Sequence, residues 1–520
     1  MRAMSADASL FAALRAAFPS DLERIAIETD NGQAYTWRDL ERGTAMLANL
    51  LHSLELPAGS RIAAHTDKSV EALMLYLATL RAGHVYLPLN SAYQAAEVGY
   101  FIGDAEPAVV VCAPRNFSWI SKLAFRAGTR HVFTLDDDCR GSLLQRAAAQ
   151  SDVHEIAPRA ADDLAAIVYT SGTTGRSKGA MLSHGNLLSN AQVLQRYWDW
   201  REGDVLIHAL PIFHVHGLFV AVHGALLNGS PMLWLAKFEP RAVIARLARA
   251  SVFMGVPTLY TRLLAEPGLT RAACARMRLF ISGSAPLLKE TFDAFRERSG
   301  HTILERYGMS ETVMLTSNPC REEDGAPGVW RAGGTVGRPL PGVGVRIVGD
   351  ADAPLAAGEI GAVQVRGPSV FSGYWRMAEK TRQEFTDDGW FRTGDVGRFD
   401  RHGYLTIVGR SKDLVISGGY NVYPAEIEGL INEMPGVSES AVVGVAHPDF
   451  GEAVVAVVVR RPGETIDAEA LIATLKNRIA HFKVPKRVFV VDGLPRNAMG
   501  KVQKNLLRDE HRALFESPRA

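Results

Sequence analysis

Short apolar runs alternate with helical patterns along the first part of the chain. Runs of strand length occur at Arg61–Thr66, Val85–Leu89, Val109–Cys112 and Leu279–Ser282, and apolar residues between several of them recur at helical spacing. Strands that alternate with helices are typical of doubly wound parallel sheets. We therefore predict an α/β fold whose ligands bind in loops beyond the carboxyl ends of the strands.

The pattern changes after about Gly325, where glycines and prolines become frequent and helical spacing is absent as far as Pro424. Short alternating runs at Gly344–Val348 and Ala362–Arg366 predict a β-rich subdomain. The remaining residues form a compact α+β pattern. Because one core cannot serve so long a chain, we predict separate folding units. These are an N-terminal domain over residues 1–410, its β-rich subdomain at about 325–410, and a small C-terminal domain over residues 411–520.

Composition narrows the class of partner. The net charge is +1, and 22% of the residues are charged, so we predict neither a nucleic-acid nor a membrane partner. Four widely spaced cysteines form no Cys-x-x-Cys pair, which disfavours a zinc site or a disulfide framework. The N-terminal residues lack the apolar region of a signal peptide, and no long apolar run occurs elsewhere. We predict a cytoplasmic protein with small-molecule substrates.

The stretch Ile167–His184 reads IVYTSGTTGRSKGAMLSH and is the strongest chemical signal. After an apolar run come three glycines, five hydroxyl residues, Arg176 and Lys178 within ten positions. Glycines let backbone N–H groups approach an anion, while hydroxyls and cations add donors. This composition predicts a polyphosphate-binding loop rather than a polar surface loop. It differs from the P-loop of common NTPases because Ser177 precedes the lysine and Gly179 follows it.

Four further segments carry polar residues in unusual order. Glu305–Thr312 (ERYGMSET) sets an aromatic ring beside glycine and a carboxylate near hydroxyls, which suits a purine and Mg²⁺. Trp390–Asp395 ends in a carboxylate that could accept hydrogen bonds from a ribose. Gly409–Glu428 leads through charged residues and a Gly-Gly turn to a helix started by proline. Leu494–Lys504 places Lys501 after a turn, although taken alone it would be a solvated lysine.

Together these five segments resemble the adenylate-forming superfamily of acyl-CoA synthetases, luciferases and peptide-synthetase adenylation domains. The resemblance implies ATP, Mg²⁺ and CoA as ligands, and a mobile C-terminal domain. Its implied nucleotide contacts are Thr170, Ser171, Gly172, Thr173, Thr174, Gly175, Lys178, Ser284, Ala285, Tyr307, Gly308, Met309, Ser310, Thr312, Asp395, Arg410 and Lys501.

The resemblance also implies roles within the nucleotide site. Tyr307 is expected to stack on adenine, Asp395 to bind the ribose, and Glu311 with Thr173 to hold Mg²⁺. Lys501 is expected to bridge the carboxylate and the α-phosphate during adenylation, where charge develops in the transition state. Acetylation of Lys501 would remove that charge, so this lysine is also a candidate for regulation.

Other roles concern the second half-reaction. Lys412 is implied as the hinge, and Ser417, Gly418 and Gly419 as the loop that admits pantetheine. His214 is implied as a wall of the channel where the thiol meets the acyl-adenylate. The nearby histidines His208, His216 and His223 leave a metal site as an alternative, although no cysteine or carboxylate accompanies them.

Two arginines bear on the acid. Arg262, on a predicted helix, and Arg306, beside Tyr307, could hold a second carboxylate if both face the acyl pocket, whereas surface arginines are the alternative. Phrases such as MGVPTLYTRLL and LPRNAMGKVQKN resemble the malonyl-CoA synthetases, in which the matching arginines grip the distal carboxylate. Ser282 is implied as a further substrate contact. Val215 departs from members with threonine there, which leaves methylmalonate open.

The expected activity is therefore an ATP-dependent ligase that converts malonate and CoA to malonyl-CoA, AMP and pyrophosphate through a malonyl-adenylate. A methylmalonyl-CoA synthetase or another short- or medium-chain acyl-CoA synthetase is the alternative, and an aryl-acid synthetase is a further one. A transferase that loads a carrier protein, and an inactive nucleotide-binding protein, are more distant alternatives. The retained Lys501 and Glu311 argue against the inactive protein.

Overall fold

The structure is a computed structural model that describes residues 8–136, 138–170, 177–325, 330–497 and 500–515. The predicted phosphate-binding residues Ser171–Gly175 lie outside the described residues. The strands are β1 (Ile25–Thr29), β2 (Ala34–Thr36), β3 (Arg61–His65), β4 (Val85–Pro88), β5 (Val109–Cys112), β6 (His131–Thr134), β7 (Leu164–Thr170), β8 (Lys178–Ser183), β9 (Leu206–His208), β10 (Met232–Trp234), β11 (Val252–Gly255), β12 (Leu279–Ser282), β13 (Ile303–Tyr307), β14 (Thr316–Ser317), β15 (Arg338–Pro339), β16 (Gly344–Val348), β17 (Gly361–Arg366), β18 (Phe391–Phe399), β19 (Leu405–Arg410), β20 (Val415–Ser417), β21 (Tyr420–Val422), β22 (Val437–His447), β23 (Gly451–Arg460) and β24 (Arg487–Val491). The α-helices are α1 (Leu10–Ala16), α2 (Trp37–Ser53), α3 (Val70–Arg81), α4 (Ala95–Ala105), α5 (Phe117–Arg126), α6 (Ser142–Ala147), α7 (His184–Tyr197), α8 (His223–Leu227), α9 (Pro240–Ile244), α10 (Pro257–Leu264), α11 (Lys289–Ser299), α12 (Ala378–Glu384), α13 (Pro424–Asn432), α14 (Ala468–Lys476) and α15 (Lys504–Glu510).

Two large sheets form the N-terminal part. One has nine strands in the order β15-β14-β13-β12-β11-β9-β10-β1-β2, and the other has six in the order β6-β5-β3-β4-β7-β8. The central strands of both are parallel. Antiparallel strands lie at both edges of the nine-stranded sheet and at the β8 edge of the six-stranded sheet. One hydrophobic cluster takes Val111 from the second sheet and Leu304 from the first, so the core lies between them. The prediction of doubly wound α/β sheets is confirmed.

The glycine-rich segment is followed by a strand rather than directly by the predicted helix. Strand β8 pairs antiparallel with β7, and Thr170 lies opposite Lys178. Helix α7 begins only after β8, where the Ser183 side chain accepts a hydrogen bond from the Asn186 amide at 3.1 Å. The Ser183 cap therefore marks the start of the helix, and the sequence pattern did not reveal the strand before it.

The β-rich subdomain is an antiparallel sheet of β16, β17, β18 and β19. The prediction that no helix occurs before Pro424 is wrong, because α12 lies in this region. None of the residues of α12 is buried, so the helix has no apolar stripe that sequence periodicity could reveal.

The C-terminal sheet contains β21, β20, β23 and β22, with β24 parallel to β23. Helices α13 and α14 contribute Ile427 and Leu475 to its core cluster. Strand β19 ends at Arg410 in one sheet, and β20 begins at Val415 in another. Within the described part of the chain, no helix is long and apolar enough to cross a lipid bilayer.

Candidate active site

A buried carboxylate with two side-chain partners marks one corner of the site. Asp395 on β18 lies directly opposite Arg410 on β19. The Arg410 Nε is 2.6 Å from one carboxylate oxygen of Asp395, and the Tyr307 hydroxyl donates to the other. Burial, together with the Asp395 charge, raises the pKa of the Tyr307 hydroxyl, so it remains a donor. The sequence assigned these three residues to adenine, ribose and nucleotide contacts, and the fold brings them together.

The turn after Tyr307 is fixed by close packing. At Gly308 a Cβ atom would stand 1.9 Å from the carbonyl oxygen of Val313, so no other residue fits. Val313 itself has φ of 55°, a left-handed conformation that is costly for a β-branched residue. The Met309 amide donates to the buried Thr312 hydroxyl at 3.3 Å. Such a turn holds the segment through Ser310 and Glu311 in one arrangement.

Glu311 and Lys178 both contact Tyr374, a residue that was not predicted from the sequence. The Tyr374 hydroxyl donates to Glu311 Oε1 at 3.0 Å, and the Lys178 Nζ lies 4.2 Å from the centroid of the same ring. Lys178 also stands 3.3 Å from Glu384 Oε1. Burial raises the pKa of Glu311, and the Tyr374 hydrogen bond opposes that shift. No motif read from the sequence included Tyr374, and only the fold places it beside Glu311.

The residues present fit a Mg²⁺ ion that is brought by a nucleotide. The described residues contain no group of three or more His, Cys, Asp or Glu side chains able to hold a metal. Mg²⁺ that is bound together with a nucleotide is usually held by one or two carboxylates, phosphate oxygens and waters. Glu311 supplies a buried oxygen donor of that kind. The other predicted metal contact, Thr173, lies outside the described residues.

Arg306 is a buried guanidinium with unused donors. The residue is 2% exposed, and its Nε and Nη2 atoms have no hydrogen-bond partner among the described residues. It packs so closely on Gly283 that a Cβ atom there would lie 2.5 Å from Nη1. Burial lowers the pKa of Arg306 to about 9, so the group is still charged at neutral pH. A buried cation without an acceptor is costly, which makes this position suitable for an anion.

Two histidines, His214 and His216, lie close enough to Arg306 for its positive charge to act on them. Burial, together with that charge, lowers the pKa of His214 to about 4. The His216 ring is 3.4 Å from the Ser284 hydroxyl, while its Nε2 has no partner among the described residues. His216 begins a π-helical turn, a geometry frequent at functional sites. His216 was named in the sequence only as part of a metal alternative.

The remaining residues of this loop were predicted as well. Ser282, at the end of β12, is fully buried and its hydroxyl has no hydrogen-bond partner in the described part of the chain. Ser284 has φ of 72°, so the loop turns sharply before Ala285. Sharp turning at a strand end keeps Ser282 and Ser284 close to the carboxyl edge of the sheet, as expected for a ligand loop.

The other histidines are engaged inside the core. His208 Nε2 donates to the Gly217 carbonyl at 3.0 Å, and His223 shares a 2.7 Å hydrogen bond with the Tyr76 hydroxyl. The two histidines bind different partners, and neither the Gly217 carbonyl nor the Tyr76 hydroxyl is a usual metal ligand. The metal alternative for the histidine cluster therefore gains no support.

Arg262 lies in different surroundings from Arg306. Helix α10 buries Pro257, Tyr260 and Leu263, and Arg262 is exposed beside them. Its guanidinium lies 4.8 Å from the centroid of the Phe238 ring. Arg262 therefore does not share the buried surroundings of Arg306 in this conformation.

The C-terminal domain delivers Lys501 to the nucleotide residues. Gly500 packs against α10, where a Cβ atom would be 3.3 Å from Thr258 Oγ1. Burial and the Arg410 charge lower the pKa of Lys501, while Asp395 opposes that shift. The same charges act on Lys412, whose pKa falls to about 8, chiefly through burial. Lys501 and Lys412 therefore stand near the Asp395–Arg410 pair.

The predicted pantetheine loop forms a hairpin turn between β20 and β21 of the C-terminal sheet in this conformation. Ser417 ends β20, and Gly418 and Gly419 form the two-residue turn to β21 with φ of 59° and 81°. Positive φ at both positions is the usual requirement of such hairpin turns and explains the two glycines. The Gly418 amide donates to the Phe450 carbonyl at 2.9 Å, so the turn is held within the C-terminal sheet.

Comparison with known proteins agrees with this geometry. The family model "AMP-binding enzyme" matches residues 15–375, and "AMP-binding enzyme C-terminal domain" matches residues 426–501. A malonate–CoA ligase from Arabidopsis thaliana is 35% identical over 97% of this chain and 89% of its own length. A feruloyl-CoA synthase from Amycolatopsis is 34% identical over 92% of this chain and 94% of its own length.

The fold is also similar to a solved structure. The crystal structure of ATP-bound MatB from Rhodopseudomonas palustris has a TM-score of 0.95 and 53% identity, and the match covers 98% of this chain and 100% of that one. The apo form of the same protein gives a TM-score of 0.84. The structure described here is therefore more similar overall to the ATP-bound form. These matches show that the chain belongs to the family of AMP-binding enzymes, the adenylate-forming acyl-CoA synthetases and their relatives.

Proposed function

We propose that this protein is an ATP-dependent acid–thiol ligase that converts malonate and CoA to malonyl-CoA, AMP and pyrophosphate. Family membership supports the ATP-dependent activation of a carboxylate, but relatives of nearly equal identity carry the names of different acids. The acid must therefore be argued from the pocket.

Arg306 is the observation that carries the choice of malonate. Its buried guanidinium offers Nε and Nη2 to an anion, and a carboxylate matches two parallel N–H donors. Arg306 directly precedes Tyr307, so we place the distal carboxylate of malonate, one methylene from the activated one, against this guanidinium. A fatty or aryl acid would leave the buried charge unpaired, so a site of this kind rejects acids that lack the second carboxylate.

In the first half-reaction, a carboxylate oxygen of malonate attacks the α-phosphorus of ATP. The new P–O bond gives malonyl-AMP, and the bond to the β-phosphate breaks with its electron pair leaving on pyrophosphate. Lys501 stands beside Arg410 and Asp395, where its ammonium can stabilise the charge that builds on the α-phosphate. Asp395 and Tyr307 orient the nucleoside, and Arg306 fixes the distal carboxylate.

Mg²⁺ would be held at Glu311 and would neutralise phosphate charge when bound with ATP. Lys178 lies on the same side of the site, across the Tyr374 ring from Glu311. Its ammonium is suited to an anionic phosphate, and the neighbouring residues Ser171–Gly175 are proposed to add hydroxyl and amide donors.

In the second half-reaction, the thiolate of CoA attacks the acyl carbon of malonyl-AMP. A C–S bond forms, the C–O bond to the phosphate breaks, and AMP leaves. We propose that rotation about Lys412 withdraws Lys501 and brings the Ser417–Gly419 turn to the site, since both elements belong to the C-terminal domain. His214 has a low pKa, so a neutral imidazole faces the incoming thiol.

Methylmalonate is the second candidate acid. Val215, between the two histidines, is 3% exposed and packs in the core between the sheets. An apolar side chain there can contact a methyl branch, whereas a polar residue would favour the unbranched acid.

Pyrophosphate exchange across a panel of acids tests the proposal. We expect fast exchange with malonate, slower exchange with methylmalonate, and little with acetate, octanoate or ferulate. Thioester formation should then require CoA. Exchange with octanoate or ferulate as fast as with malonate would reject the diacid assignment, and the general acyl-CoA ligase would take its place.

A further inference from the structure

Tyr374 is held rigidly at the edge of the six-stranded sheet. The Met181 amide donates to the Gly373 carbonyl at 3.0 Å, and the Trp375 amide donates to the Gly179 carbonyl at 2.8 Å. The segment around Tyr374 therefore extends the sheet beyond β8, the strand that begins at Lys178. Its ring is 3% exposed, so the direction of the side chain is fixed by packing.

The hydroxyl of Tyr374 is bound to Glu311. The distance to Glu311 Oε1 is 3.0 Å, and both side chains are buried. The main chain reinforces the contact, because the Phe371 amide donates to the Glu311 carbonyl at 2.8 Å. A carboxylate side chain has several rotamers, and this hydrogen bond restricts the ones that Glu311 can adopt while leaving acceptor capacity for another ligand.

The ring of Tyr374 carries a second polar group. The Lys178 ammonium lies 4.2 Å from its centroid, within the range of a cation–π contact, and stands 3.3 Å from Glu384 Oε1. Glu384 lies on α12, so the lysine is held between two elements distant in sequence. One aromatic side chain thus contacts both a carboxylate and an ammonium of the predicted phosphate site.

We propose that Tyr374 is a positioning residue of the phosphate site: its hydroxyl aims Glu311 at the metal that accompanies ATP, and its ring supports Lys178. The inference rests on the proposed function in so far as ATP is the nucleotide. The hydroxyl contributes to metal binding, and the ring contributes to nucleotide binding without metal. These two contributions can be measured separately.

Tyr374→Phe removes only the hydroxyl and keeps the packed ring, so the variant should fold. We expect Mn²⁺ to bind the complex of this variant with a non-hydrolysable ATP analogue about 10-fold more weakly than it binds the wild-type complex. That is the usual cost of losing a hydrogen bond to a metal ligand. Mn²⁺ binding would be followed by electron paramagnetic resonance. The affinity for the analogue without metal should be unchanged. In steady-state kinetics, the KM for the metal–nucleotide complex should rise more than kcat falls.

Tyr404→Phe is the matched control. Tyr404 is also buried, and its hydroxyl donates to the Trp330 carbonyl at 3.2 Å, away from Glu311. This variant should bind Mn²⁺ as the wild type does. Tyr374→Leu should in addition lower the affinity for the ATP analogue in the absence of metal, because this variant loses the ring that contacts Lys178.

Unchanged Mn²⁺ affinity in Tyr374→Phe would overturn the inference. An equal loss in Tyr404→Phe would also overturn it, since the effect would then be one of general packing. A wild type that binds no ATP analogue would reject the proposed function itself. If the wild type binds the analogue and Tyr374→Phe binds Mn²⁺ equally well, only the positioning role fails.

Discussion

The guanidinium of Arg306 lies against the backbone of Gly283. A Cβ atom at position 283 would be 2.5 Å from Arg306 Nη1 and 2.6 Å from its Cζ. Glycine therefore allows the arginine to remain in this position, where its Nε and Nη2 atoms have no hydrogen-bond partner among the described residues. The contact links the loop after β12 to the residue proposed to bind the distal carboxylate.

Gly283→Ala should move Arg306 without unfolding the protein, because the clash falls on the end of a flexible side chain. We expect kcat/KM for malonate to fall by about 10-fold or more, as when a charge-assisted hydrogen bond is weakened. Gly103→Ala, on α4, has nothing within 4 Å of the added methyl and is the control. Equal malonate kinetics in the two variants would show that Arg306 does not need its present position.

Arg306→Ala should cost malonate about 2–3 kcal/mol in kcat/KM, because a buried charged donor is lost. Arg262→Ala should cost less, since Arg262 is exposed and a solvated charge is screened. Comparison of malonate with propionate in both variants measures the effect on selectivity. A larger loss in Arg262→Ala would mean that Arg262 turns inward when malonate binds.

Lys501→Ala should reduce malonyl-AMP formation by about 10²–10³, by analogy with the loss of one preorganised donor. Thioester formation from supplied malonyl-AMP should change little, because Lys501 belongs to the arrangement of the first step. The two half-reactions would be measured by pyrophosphate exchange and by single-turnover thioester formation. Equal losses in both steps would contradict this assignment.

The C-terminal domain is also linked to α11 by an ion pair. Arg461 contacts Glu290, and both side chains are about half exposed. Surface pairs contribute at most about 1 kcal/mol, so Glu290→Arg should lower adenylation by only a few-fold. The double variant Glu290→Arg, Arg461→Glu should recover the activity, and high salt should remove the difference. No recovery in the double variant would indicate that the pair does not stabilise this domain arrangement.

Buried histidines should make the protein less stable in acid. Burial lowers the pKa of His223 to about 3, below its unfolded value near 6.5. The unfolded chain then binds the proton first, so the stability that depends on neutral His223 is complete above about pH 6.5. It is lost as the pH falls from there towards 3, by up to about 1.4 kcal/mol per pH unit.

His223→Gln keeps a hydrogen-bonding partner for Tyr76 but cannot titrate. Urea unfolding between pH 7 and pH 5 should show a shallower loss of stability in this variant than in the wild type. Identical slopes would mean that His223 does not remain neutral in the folded protein.

The sequence by itself determined the local structure and much of the chemistry. Apolar runs such as Val109–Cys112 and Leu279–Ser282 predicted strands with the observed bounds, because a buried parallel strand is apolar on both faces. The glycine-rich segment and Glu305–Thr312 indicated nucleotide chemistry because their residue types are rarely combined for other reasons. Helix α12 and strand β8 were missed because neither has the periodicity that burial on one face produces.

Only the tertiary structure decided which of these residues act together. Tyr374 and Glu311 are 63 positions apart, and nothing in their local sequence requires a hydrogen bond between them. Arg262 and Arg306 looked alike in the sequence, yet one is exposed on α10 and the other is buried against Gly283. Burial and the direction of a side chain depend on packing between distant elements, so the guanidinium proposed to bind the distal carboxylate could be singled out only after the fold was known.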